Sequence, residues 1–147
     1  MAELIVVGAG AAGLMAAGEA CRRGHRVTVL EHSEMPGKKI LVTGKGRCNV
    51  TNNCDEATFL QNVRTNPRFL FSSIRAFPPA ATMALFEELG VPLKTERGRR
   101  VFPVSDKAAD IRAALLRWAD GANVVMDGAK SLVLENGRCA SVVTAGG

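Results

Sequence analysis

Residues 3–31 read ELIVVGAGAAGLMAAGEACRRGHRVTVLE, and the fold follows from them. Glu3 to Val7 is a short apolar run suited to a strand. Gly8, Gly10 and Gly13 come next, in the spacing G-x-G-x-x-G. Residues 11–23 then read as a helix with small residues on its packing side. Arg22 and Arg23 stand near its C-terminus, and Gly24 follows where a positive φ is tolerated. Residues 26–30 alternate as a second strand. Strand, turn, helix and strand within about thirty residues have the proportions of a right-handed βαβ crossover.

Each position of the turn has a physical task. Gly8 permits the tight exit from the strand. Gly10 lacks a side chain, so a pyrophosphate can approach the backbone. Gly13 lets the helix pack close to the strand, and Ala17 continues that small-residue contact. The N–H groups around Ala11 and Ala12 have no partner inside the helix and sit at the positive end of its dipole, which suits phosphates. Glu31 closes the second strand, 18 residues after Gly13, against an expected spacing of about 20. Its carboxylate is suited to accept hydrogen bonds from ribose hydroxyls and to repel a 2′-phosphate. His32 is expected near the adenosine end. A glycine turn that binds nothing is the plainer alternative, but both the strand before and the helix after are in place.

The next segment distinguishes the cofactor. Residues 37–53 read GKKILVTGKGRCNVTNN. A dehydrogenase that uses only NAD usually continues from its acidic residue into another βα unit, whereas here a Gly- and Lys-rich loop follows. Such a loop suits a longer, extended dinucleotide, which points to FAD. Lys38, Lys39, Lys45 and Arg47 would supply positive charge, and glycines such as Gly46 would permit close backbone contact. An ordinary basic surface loop is the competing reading.

Further along, residues 66–76 are read as helical. Pro78-Pro79 starts another helix, with Met83, Phe86 and Leu89 on one side and Gly90 at its end. Two extended pieces flank a basic turn at 97–100. Ser105 is read as the N-cap of a helix with Ala108, Ile111, Leu115 and Trp118 at helical spacing. Residues 123–126, 130–135 and 138–144 are read as strands, and Asn136-Gly137 signals a type I′ hairpin. The expectation is an α/β fold: a Rossmann-like FAD/NAD(P)-binding domain with a parallel sheet and a small antiparallel β-meander. Within one domain over 1–147, the βαβ unit takes 3–31, the cofactor loop 33–54, the helical segment 66–120 and the meander 123–144.

Composition sets outer bounds. Of 147 residues, 47% are hydrophobic, enough for a packed core. Aromatics are 5%, too few for a face of stacked rings, and the net charge of +5 is spread along the chain; no nucleic-acid partner is expected. Leu4 to Ala20 lacks a preceding Lys or Arg, which argues against a signal peptide, and it is too short and Gly-rich to span a bilayer. A cytoplasmic protein acting on a small-molecule substrate, with no membrane partner, is expected; oligomeric state stays open. Four cysteines without a C-x-x-C pair, beside two histidines, disfavour a metal site. Cys21 and Cys139 read as small core residues. No catalytic residue is assigned.

The strings TGKGRCNVTN at 43–52 and RVFPVSDKA at 100–108 resemble the BaiN/YhiN-type bacterial flavoprotein family, and the resemblance runs over essentially the whole chain. It implies an FAD-dependent oxidoreductase with a glutathione-reductase-like cofactor domain, reduced nicotinamide, NAD(P)H, as an electron donor, and Gly46, Arg47, Cys48 and Asn49 among the cofactor contacts. One branch of that family is similar to steroid double-bond reductases. Its members are much longer, so this chain is expected to be the front of such an enzyme. Cys48 and Cys54 are separated by five residues, not the four of disulfide-reducing flavoproteins, and a packed thiol at Cys48 is the expected reading. An NAD-dependent dehydrogenase domain and a non-catalytic nucleotide-binding fragment are the alternative functions.

Overall fold

A computed structural model describes residues 1–146. Along the chain the elements are β1 (Glu3–Val7), α1 (Ala11–Arg22), β2 (Arg26–Leu30), β3 (Thr51–Asn52), α2 (Glu56–Gln61), α3 (Pro67–Ala76), α4 (Pro79–Glu88), β4 (Leu93–Glu96), β5 (Arg100–Pro103), α5 (Ala108–Trp118), β6 (Asn123–Val125), β7 (Ala129–Glu135) and β8 (Arg138–Thr144). They fall into two compact units: Met1–Ile40 with Leu115–Gly147, and Leu41–Ala114.

The first unit holds a parallel sheet in the order β1-β2-β6. Glu3 pairs with Arg26 and Val7 with Leu30, so the crossover through α1 returns the chain in the same direction. Leu14, Ala17 and Val29 are fully buried. Gly18 is equally specific: a Cβ there would collide with the Trp118 ring. Trp118 donates from Nε1 to the Met15 carbonyl at 3.1 Å. The Arg22 guanidinium stacks on the indole at 3.5 Å and donates to the Trp118 carbonyl at 2.8 Å. One tryptophan thus ties α1 to the end of α5 through packing, a hydrogen bond and a cation–π contact.

Two expectations change here. Residues 123–125 do not belong to an antiparallel meander: β6 pairs in parallel with β2, Val29 opposite Val124. A helix precedes β6, and a helical crossover delivers a parallel strand. The antiparallel element is the hairpin β7–β8 alone, turned by Asn136 at φ 51° and Gly137 at φ 76°, as a type I′ turn requires. Cys139 is exposed on that hairpin, not a core residue, because β7 is exposed along its whole length.

The second unit contains a three-stranded antiparallel sheet in the order β3-β5-β4. Its core gathers Leu85 and Phe86 of α4, Val101 and Phe102 of β5, and Ala108 and Ile111 of α5. Each large side chain so buried contributes about 1.5–3 kcal/mol. α2 has no counterpart in the sequence reading, although Asp55 caps it by accepting the Thr58 N–H at 2.7 Å. Ser105 is not the N-cap of α5; it lies upstream of the helix, and its hydroxyl accepts the Lys107 N–H at 3.3 Å. No single helix among the described residues is long and apolar enough to cross a membrane; α3 and α4 reach that length only together, across a 42° bend.

Candidate functional site

In the first unit the turn between β1 and α1 has the geometry its glycines demand. Gly8 sits at φ +96°, a conformation that L side chains rarely adopt, and its N–H donates to the Leu30 carbonyl at 2.7 Å. A Cβ on Gly13 would overlap the Gly8 carbonyl oxygen. Gly10 differs: φ is an ordinary −76°, and nothing lies within 4 Å of where a Cβ would stand. The chain's own packing therefore does not require glycine at position 10. Gly10, Ala11 and Ala12 are exposed. No side chain caps this helix end and no acidic residue occupies its first turn, so its N–H groups and the positive end of its dipole face outward.

Among the described residues Glu31 is the one charged residue that is buried, 5% exposed. Its Oε2 accepts the Ala9 N–H at 2.7 Å and its Oε1 accepts the Ser33 N–H at 2.7 Å. Burial pushes the carboxyl upward, but these hydrogen bonds, with His32 beside it, outweigh burial and hold it below the ordinary carboxylate range. Glu31 is therefore an anion fixed against the glycine turn. This clamp on Ala9 was absent from the sequence reading, since the two residues lie 22 apart. His32 is exposed, with Nδ1 3.4 Å from Glu31 Oε1. Lys38 and Lys39 are exposed, and Lys38 pairs with Glu34 at 2.9 Å.

Gly46, Arg47, Cys48 and Asn49 belong to the second unit. Arg47 was expected to offer charge to a cofactor; its guanidinium is engaged by the unit's own carboxylates. Nη1 lies 2.9 Å from Glu96 and 3.1 Å from Asp106, and Nη2 lies 3.1 Å from Glu96. The group also rests 4.1 Å above the Phe102 ring. Lys94 joins at 2.6 Å from Asp106, so two cations face two anions. The salt-bridging hydrogen bonds hold Glu96 and Asp106 below their ordinary values despite some desolvation. Cys48 is buried at φ +59°, and burial pushes its thiol up, which disfavours the reactive thiolate. In the orientation that satisfies both its groups, the Asn49 amide donates to the Thr51 and Val101 carbonyls at 2.9 and 3.2 Å. Gly46 is exposed at φ +83°. All four cysteines are free thiols, and the described residues contain no cluster of three His, Cys, Asp or Glu able to hold a metal.

A parallel βαβ unit with an open, uncapped helix start and an anchored acidic residue defines a Rossmann nucleotide-binding domain. A profile of HI0933-like protein Rossmann domains matches residues 2–139, and the chain belongs to that family. It is 37% identical over 113 residues to a 3-dehydro-bile acid delta(4,6)-reductase of Clostridium scindens, covering 76% of this chain and 27% of that protein. It is 31% identical over 123 residues to a ribosomal RNA dihydrouridine synthase of Escherichia coli, covering 83% of this chain and 30% of the relative. The chain thus spans under a third of the length of these relatives. In fold it resembles L-proline dehydrogenase from P. horikoshii, with a TM-score of 0.62 at 17% identity, covering 99% of this chain and 50% of the other. It likewise resembles THI4 of Thermovibrio ammonificans, with a TM-score of 0.59 at 17% identity, covering 97% and 46%.

Proposed function

We propose that this chain is the FAD-binding portion of a flavoprotein oxidoreductase that reduces a carbon–carbon double bond. The observation that carries the reading is the start of α1, where the exposed Gly10 has open space at its Cβ position and the first-turn N–H groups have no cap. In this reading the pyrophosphate lies on the N–H groups of Gly10 to Gly13, and the anionic Glu31 accepts hydrogen bonds from the adenosine ribose. Lys38 and Lys39 add positive charge to the same unit, and His32 flanks the ribose. Bound FAD would supply hydride chemistry, with reduced nicotinamide, NAD(P)H, as electron donor in the cytoplasm.

The reaction class is supported by relatives whose names describe a reductase and a dihydrouridine synthase, both of which add hydrogen across a double bond. The test is the visible spectrum of the protein purified from its complete reading frame, with mass identification of the extracted cofactor and NAD(P)H oxidation in the presence of an enone. Flavin absorbance, the mass of FAD and substrate-dependent NADH or NADPH consumption are expected. A colourless protein would contradict the cofactor assignment.

A further inference from the structure

In the second unit, α3 keeps rings and cations on its outer surface. Leu70 and Ile74, four apart on one side of the helix, are half-buried. Two phenylalanines stay outside: Phe69 is 79% exposed and Phe71 is 52% exposed, although phenylalanine is among the residues most often found inside. Arg68 and Arg75 are exposed as well. They stand three and four residues from Phe71, which puts the three side chains on one flank. Arg64, just before the helix, is also exposed.

These arginines have no counter-charge. None of the three enters an ion pair among the described residues. From residue 57 to residue 86 the sequence contains no Asp, no Glu and no Lys. Elsewhere in the same unit, Arg47 and Lys94 are matched by Glu96 and Asp106. What the face of α3 lacks is an anion.

The placement of the rings distinguishes among anionic partners. Phe69 and Phe71 stand about 160° apart around a helix that turns about 100° per residue. Both rings cannot enter one flat bilayer, and the apolar stripe of Leu70 and Ile74 is the half-buried side. Two rings on opposite flanks are also not the row of stacking platforms that single-stranded nucleic acid uses. Between them lie the arginines and the small Ser72 and Ala76. Rings and Arg without Lys are the composition that protein interfaces favour. We propose that the outer face of α3 docks an acidic, amphipathic segment of another protein. Its carboxylates pair with Arg68 and Arg75, and its apolar side chains pack on Phe69 and Phe71. The face involves no residue assigned to the flavin.

The protein from its complete reading frame is titrated, by fluorescence anisotropy, into two labelled peptides. One is an amphipathic helix of glutamate, leucine and alanine; the other has every glutamate replaced by glutamine. The acidic peptide is expected to bind about tenfold or more tightly than its neutral counterpart, with the difference shrinking as salt rises. The double variant Arg68→Gln, Arg75→Gln should weaken the acidic peptide by about tenfold or more at an unchanged melting temperature. Phe69→Ser should weaken it at high and low salt alike, because the lost contact is apolar. Phenylglyoxal labelling, read by mass spectrometry, should modify Arg68 and Arg75 in the protein alone and spare them when the acidic peptide is bound. Failure of the acidic peptide to bind, or equal binding by wild type and the double variant, overturns the docking assignment. Arginines that resist labelling in the protein alone overturn it too, by showing the face already covered by the rest of the polypeptide. Tighter binding to phosphatidylglycerol vesicles or to polyuridylate than to the peptide, lost in the double variant, overturns the choice of a protein partner.

Discussion

At the start of α1, backbone N–H groups face outward with no side chain to answer them. Around Arg47, two cations meet two carboxylates within 3.1 Å or less at their shortest contacts. The first region carries little formal charge, and its N–H groups are left without a side-chain acceptor. The second is rich in charge yet has satisfied it internally. Charge in a sequence therefore indicates little about ligand binding until its partners are known, whereas an uncapped helix end with a bare glycine beside it is informative by itself.

The largest effect should come from Gly13→Ala. Its methyl group would overlap the Gly8 carbonyl oxygen, and backbone cannot yield as a flexible side chain would. A loss of about 3 kcal/mol or more in stability is expected, with loss of flavin, measured by chemical denaturation and absorbance. A stable Gly13→Ala protein would break the claim that helix and strand meet at that glycine.

Gly10→Asp sharpens the same contrast. The position has room and an ordinary φ, and aspartate is a good N-cap, worth about 1 kcal/mol at a helix start. The variant should melt at or above the wild-type temperature and yet retain no flavin. Unfolding on this substitution would show that Gly10 serves the fold and not a ligand.

Glu31→Ala should weaken FAD by about 1.5–3 kcal/mol, the scale of hydrogen bonds to a charged group. Glu31 also predicts a pH dependence. Its folded-state pKa lies below the ordinary value of 4.5, so the folded state favours the anion. That stabilisation is present above the unfolded pKa and is lost as pH falls through the folded one. Wild type should lose stability on acidification below about pH 4.5 more steeply than Glu31→Gln, as denaturation midpoints across that range would record. Parallel curves would contradict the clamp on Ala9 and Ser33.

The smallest effect on cofactor is expected at Arg47. Arg47→Met should lower the melting temperature and flatten its dependence on salt, since an ion-pair cluster is lost, while FAD affinity is unchanged. A large loss of affinity at constant stability would restore Arg47 as a cofactor contact.

The legible parts of the sequence were those fixed by local backbone need. β1, the glycine turn, α1, Gly24 and β2 fall within a residue of the reading, because φ sign, helix ends and strand alternation depend on neighbours in the chain. The hairpin at Asn136-Gly137 was legible for the same reason. What escaped depended on distant partners. Arg47 meets Glu96 and Asp106 across 49 and 59 residues, and no local pattern connects them. β6 looked like part of a meander because three strands follow one another; its parallel pairing with β2 is set by the preceding helix. α2 carried a signal in Asp55 and Glu56, but at six residues it is too short for periodicity to reveal.

The central claim is that the start of α1 holds the pyrophosphate of FAD. It is tested most directly by comparing visible spectra of wild type and Gly10→Asp, purified in parallel and checked for folding by circular dichroism. The account predicts a yellow wild type whose extract has the mass of FAD, and a folded but colourless variant. A folded Gly10→Asp protein with undiminished flavin would contradict it.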